Sequence, residues 1–104
     1  MQVLESFSLT GKVAVVTGGA GLYGRQIVAA LAEAGAQTFI AARDVSKLEA
    51  VAAEERARGY DVTALPLDLS SDESIEALHR EVIARGGRCD VLVNNAVTRS
   101  ALDG

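Results

Sequence analysis

Short apolar runs rich in β-branched residues alternate along this chain with longer segments whose apolar residues recur at helical spacing. Lys12 to Thr17 (KVAVVT) is apolar without alternation, the pattern of a strand buried on both faces of a parallel sheet. Ile27, Val28, Leu31 and Ala34 then recur at helical spacing, and Gly35 supplies the stop. Thr38 to Ala41 is a second short strand. Ser46-Lys47-Leu48-Glu49 reads as a capping box opening a helix that carries Leu48, Val51 and Ala52 on one face and ends at Gly59. Asp61 to Leu65 is a third strand, closed by Pro66. Ser70-Ser71-Asp72-Glu73 starts a third helix with Ile75, Leu78 and Val82 inward, stopped by Gly86-Gly87. Cys89 to Val93 (CDVLV) is a fourth strand, and Asn94-Asn95-Ala96 follows where it ends.

Strand and helix in strict alternation predict an α/β fold, because right-handed crossovers give a parallel sheet covered by helices. The expectation is a partial, doubly wound sheet of Rossmann type with spatial strand order 3-2-1-4 and a switch point between the first and fourth strands. The third helix then lies on the opposite face from the first two. With no linker, low-complexity segment or charge block, residues 1–104 read as one domain.

Composition narrows the partners. Hydrophobic residues make up 49% of the 104, enough for a packed core. The formal net charge of −4 argues against a nucleic-acid partner, since phosphate backbones need a basic surface. It leaves a phosphate-bearing cofactor open, because a glycine loop and a helix N-terminus bind phosphate through backbone N–H groups. Cys89 is the single cysteine, so no intrachain disulfide can form and a reducing cytoplasm is expected. In its apolar stretch it reads as a small core residue. Residues 1–5 lack the basic region and apolar run of a signal peptide, and no apolar run spans a bilayer, so no membrane partner is expected.

Three short segments carry candidate chemistry. Thr17-Gly18-Gly19-Ala20-Gly21-Leu22-Tyr23-Gly24 joins the first strand to the first helix, where a dinucleotide pyrophosphate meets backbone N–H groups and the helix dipole. Glycines there permit close approach or positive φ. A plain turn packed against the helix is the alternative. Asp68-Leu69 follows the third strand, where a carboxylate can accept from an adenine amino group; an N-cap or turn aspartate is the alternative. Asn94-Asn95-Ala96 ends the fourth strand, where two amides can tie down adjacent loops and line a cofactor crevice, or simply make a turn.

Together these segments resemble the short-chain dehydrogenase/reductase family, from Leu9-Thr10-Gly11-Lys12-Val13-Ala14 to Asn95-Ala96. In that family a glycine loop, an Asp followed by an apolar residue, and Asn-Asn-Ala-Gly come in this order. The single-domain members carry Thr-Gly-x-x-x-Gly-x-Gly, which would place glycine at Leu22. This chain fits Thr-Gly-x-x-Gly-x-x-Gly through Gly18, Gly21 and Gly24, a spacing that resembles the longer members. Val97 replaces the glycine after Ala96. The resemblance implies an oxidoreductase that moves a hydride between NAD or NADP and a small alcohol or carbonyl substrate. An acidic residue after the second strand would select NAD through the ribose hydroxyls, and an arginine would accommodate the 2′-phosphate of NADP. The acidic position falls at Ala42 and Arg43 follows, so NADP is favoured over NAD. Asp44 can still reach the ribose, and Arg43 can be a solvated loop charge.

The family's proton chemistry uses a tyrosine, a lysine four residues on and a serine. Here Tyr23 is followed at that spacing by Ile27 and Tyr60 by Ala64, and lone His79 has no partner motif. No catalytic residue and no metal ligand is therefore assigned, and the chain is expected to be an N-terminal portion ending before the catalytic segment, inactive on its own. A complete, non-catalytic nucleotide-binding or assembly module is the alternative, and a methyltransferase of similar fold a weaker one. An open fourth strand with apolar side chains leads to the expectation of a homo-oligomer.

Overall fold

The computed structural model describes residues 8–18 and 21–95, with Leu22 by its backbone alone. The elements are β1 (Val13–Thr17), α1 (Leu22–Glu33), β2 (Gln37–Ala42), α2 (Val45–Ala57), β3 (Val62–Pro66), α3 (Asp72–Gly86) and β4 (Val91–Asn94). The strands form one parallel sheet in the order β3-β2-β1-β4. The chain winds from β1 out to β3, then crosses back to β4, which is the doubly wound arrangement with its switch point between β1 and β4. Thr17 lies level with Ala41 on one side and Asn94 on the other. The C-terminal ends of these three strands therefore come together on one edge of the fold.

Side chains alternate across the sheet, and each face has its own core. Val16, Ile40 and Val62 pack with Val28 and Ala32 of α1 and with Leu48, Val51 and Ala52 of α2. Val13, Val15, Phe39 and Leu65 point the other way, toward Val82 and Leu78 of α3. The crossing of α3 to the opposite face follows from the position of β4 on the far side of β1.

Local details depart from the sequence pattern in four places. The cap of α2 is Asp44, not Ser46. Its Oδ1 accepts from the Lys47 N–H at 3.4 Å and from the Ser46 hydroxyl at 2.6 Å, so the helix opens at Val45, while Glu49 pairs with Arg56. Pro66 is the last residue of β3 rather than its terminator; on an edge strand a missing N–H costs no ladder bond. β4 begins at Val91, and Cys89 is exposed because it lies on the connection to an edge strand with no described element beyond it. Ile75, read as inward, is 41% exposed because α3 is the one described helix on its face of the sheet.

The other helix ends agree with the pattern. Ser71 caps α3 by accepting from the Ser74 N–H at 3.2 Å, and Gly87 closes it in the left-handed conformation at φ 81°. Gly35 has φ 104°, and a Cβ there would lie 2.7 Å from the Thr10 hydroxyl oxygen. Close approach and backbone conformation both demand glycine at that position. Among the described residues no helix is long and apolar enough to cross a membrane.

Candidate functional site

The C-terminal ends of the strands place the sequence candidates on one rim. β1 delivers Thr17 and Gly18, β2 delivers Arg43, β3 delivers Asp68 and Leu69, and β4 delivers Asn94 and Asn95. Gly19, Ala20 and Ala96 lie outside the described residues, as does the side chain of Leu22.

The start of the glycine loop is held from both sides. The Gly18 N–H donates to the Ala41 carbonyl at 2.8 Å, and Asn95 Nδ2 donates to the Gly18 carbonyl at 2.9 Å. The buried Thr17 hydroxyl donates to Asn94 Oδ1 at 2.9 Å, and the Asn95 N–H donates to the Thr17 carbonyl at 3.2 Å. The two asparagines thus fasten the loop across the switch point. Gly18 has φ 68°, a conformation that a side chain would strain.

The N-terminus of α1 differs from those of α2 and α3. Its N-cap is Gly21, which has no side chain to accept a hydrogen bond, and its first turn holds no acidic residue. The other two helices are capped by Asp44 and Ser71. First-turn N–H groups without a side-chain acceptor among the described residues, at the positive end of the dipole, suit an anion. A Cβ added to Gly21 would meet nothing within 4 Å, so its glycine is not demanded by packing among the described residues. Tyr23, one residue into the same turn, is 73% exposed, whereas Gly24 is buried.

Arg43 and Asp68 lie on neighbouring strand ends. The Asp68 carboxylate accepts from the Ser70 hydroxyl at 2.6 Å and the Ser70 N–H at 3.0 Å, and its own N–H donates to Ser74 Oγ at 2.8 Å. The Ser70 bonds, with a contribution from the Arg43 charge, hold its carboxyl below the usual carboxylate range. Asp68 is therefore both a turn aspartate, the alternative its sequence position offered, and a carboxylate displayed on the rim. Arg43 is exposed and, among the described residues, makes no salt bridge. Leu69 is 51% exposed beside them.

Two features escaped the sequence reading. Asp90 Oδ2 accepts from the Val13 N–H at 2.8 Å while Oδ1 takes Arg88, so a carboxylate stitches β4 to the start of β1. Its one signal is a charged residue inside the run CDVLV. An apolar recess of about 260 Å³ opens between α3 and the sheet, lined by Val15, Leu67, Leu78, Val82 and Leu92, and reaches Thr17 and Asn94 at the rim. His79 and Cys89 sit along its side. Only the sheet packing creates it.

The sequence matches the family of short chain dehydrogenases over residues 12–102. The chain belongs to that family. A short chain dehydrogenase/reductase of Colletotrichum higginsianum is 38% identical over 99 residues, 95% of this chain and 37% of that protein. A rhamnolipids biosynthesis 3-oxoacyl-(acyl-carrier-protein) reductase of Pseudomonas aeruginosa is 44% identical over 92 residues, 88% of this chain and 36% of that protein. A metagenomic short-chain oxidoreductase solved in complex with NADP superposes with a TM-score of 0.81 at 45% identity, covering 86% of this chain and 40% of that one. The chain thus spans a little over a third of the length of these two curated relatives.

Proposed function

We propose that this chain is the nucleotide-binding part of an NADP-dependent oxidoreductase acting on a small alcohol or carbonyl compound. The observation that carries the reading is the N-terminus of α1, capped by Gly21 without a side-chain acceptor and with no acidic residue in its first turn, set at the switch point of a parallel sheet. Gly18, Gly19, Gly21, Leu22, Tyr23 and Gly24 would hold the pyrophosphate with backbone N–H groups. Thr17, Asn94, Asn95 and Ala96 would form the floor of the crevice. Asp68 and Leu69 would take the adenine, the first by accepting from its amino group and the second by apolar contact. Arg43, exposed and without a salt bridge among the described residues, would bind the 2′-phosphate.

The nicotinamide ring supplies the hydride chemistry when bound. The residues of this chain bind and orient; none is assigned a proton-transfer role. The NADP complex of the metagenomic relative supports the choice of cofactor class. We take the chain as one nucleotide-binding unit of a cytoplasmic homo-oligomer; the single thiol and the open β4 edge support that reading.

Fluorescence titration tests the proposal. NADPH is expected to bind about tenfold more tightly than NADH, the worth of one charge-assisted contact at an exposed site, and Arg43→Ala to erase most of the difference. Equal affinities would overturn the preference for NADP. Binding of S-adenosylmethionine in place of either nucleotide would overturn the oxidoreductase reading.

A further inference from the structure

We infer that Asp44 is a positioning residue for cofactor selection: as the cap of α2 it fixes Arg43 on the rim and is itself withheld from the ribose. The inference rests on the NADP reading above.

The geometry assigns Asp44 to the helix. It stands at φ −93°, ψ 89°, between Arg43 and the first residue of α2, and its Oδ1 accepts from both the Ser46 hydroxyl and the Lys47 N–H. These bonds, the Ser46 hydroxyl foremost, lower its carboxyl below the ordinary carboxylate value, with the Lys47 charge contributing. The negative charge is thus compensated where it stands, by the helix N-terminus and Lys47. Asp44 and Arg43 are adjacent in sequence yet form no salt bridge among the described residues, so the guanidinium is not neutralised by its neighbour. Ala42, half-buried, offers no carboxylate. Its carbonyl is held by the Leu67 N–H at 3.0 Å, so Arg43 sits between two anchored residues, Ala42 behind and the cap ahead. Removing the cap frees the second anchor. Without it, the backbone of Arg43 is anchored on one side only before the phosphate arrives, and binding must order it.

The test compares Asp44→Ser, which keeps a capping oxygen and removes the charge, with Asp44→Ala, which removes both. Dissociation constants for NADPH and NADH are measured for each, with amide exchange at Lys47 in the nucleotide-free protein as a readout independent of cofactor. Asp44→Ser is expected to stay within about twofold of the parent for both nucleotides. Asp44→Ala is expected to expose the Lys47 amide and to lower the NADPH preference by about fivefold, the ratio that a cap of ordinary strength controls. NADH binding changes little. A selective loss of NADH binding in either variant would mean that the carboxylate touches the ribose, and overturns the inference. Equal loss of both nucleotides, or no change with Asp44→Ala, overturns it as well. A parent protein that binds neither nucleotide removes the NADP reading itself; a parent that prefers NADPH while Asp44→Ala behaves like it removes this inference alone.

Discussion

The two faces of the sheet are built from similar residues and finished to different degrees. On the α1–α2 face, Val16, Val28, Ile40, Leu48 and Val62 are fully enclosed. On the α3 face, Val13, Val15 and Phe39 are buried, but Leu92 is 67% exposed, and an open recess runs beside it. The strands are apolar on both sides, so both faces call for cover, yet among the described residues two helices cover one and a single helix the other. The difference places the enclosed core on one face of the described fold and the exposed apolar surface on the other. The rim of strand ends proposed to hold the nucleotide lies where they meet.

Paired truncations should give the largest contrast. Leu48→Ala on the finished face is expected to cost about 2–5 kcal/mol, because it empties a site that cannot collapse. Leu92→Ala on the open face should cost less than about 0.5 kcal/mol. Urea melts of both variants check this, and a Leu92→Ala cost rivalling that of Leu48→Ala would mean that the open face is covered in solution.

Association is the next way to break the comparison. Size exclusion with light scattering should find the chain self-associated through the β4 edge and the recess, and Leu92→Lys should shift it toward monomer. A compact parent monomer would contradict this picture of the open face.

Gly18→Val should do the reverse of Leu92→Lys. Branched bulk at φ 68° costs about 1–2 kcal/mol of strain and blocks the pyrophosphate, so both NADPH and NADH should weaken by about tenfold or more while association stays unchanged. If Gly18→Val altered association and left nucleotide binding intact, the rim and the open face would have been assigned the wrong way round.

The smallest expected effect concerns how firmly β4 belongs to the sheet. The Val13 N–H, then Arg88, hold the Asp90 carboxyl below its ordinary value of 3.8. A carboxyl depressed in the folded state contributes stability that is complete above that value and is lost as the pH falls through its folded pKa. Asp90→Asn keeps an acceptor for Val13 but does not titrate, so its acid limb should be flatter. Urea midpoints taken from about pH 6 down to about pH 2 would show it. Identical acid limbs would mean that the Asp90 bond does not hold in solution.

Much of this was legible from residue order. The alternation of apolar runs and helical stripes marked every described strand and helix, because the periods of the two structures differ and glycines stand at the helix stops. The sequence reading also singled out Gly18, Asp68, Asn94 and Asn95, and the structure sets them on one rim. The cap of α2 was misassigned because Ser46 and Glu49 fit a capping box by spacing, whereas the competing acceptor Asp44 lies two residues earlier, takes the Lys47 N–H and opens the helix at Val45. Cys89 was misplaced because apolar company in sequence does not tell an interior strand from the approach to an edge.

The sequence by itself determined the α/β class, the helix and strand order and the family, since each depends on local periodicity or on short motifs in series. Only the tertiary structure decided which polar groups meet. Thr17 with Asn94, Gly18 with Asn95 and Val13 with Asp90 are each joined across 77 positions of chain. Such pairs arise from parallel pairing of β1 with β4, and strand register is a property of the assembled sheet rather than of either segment alone.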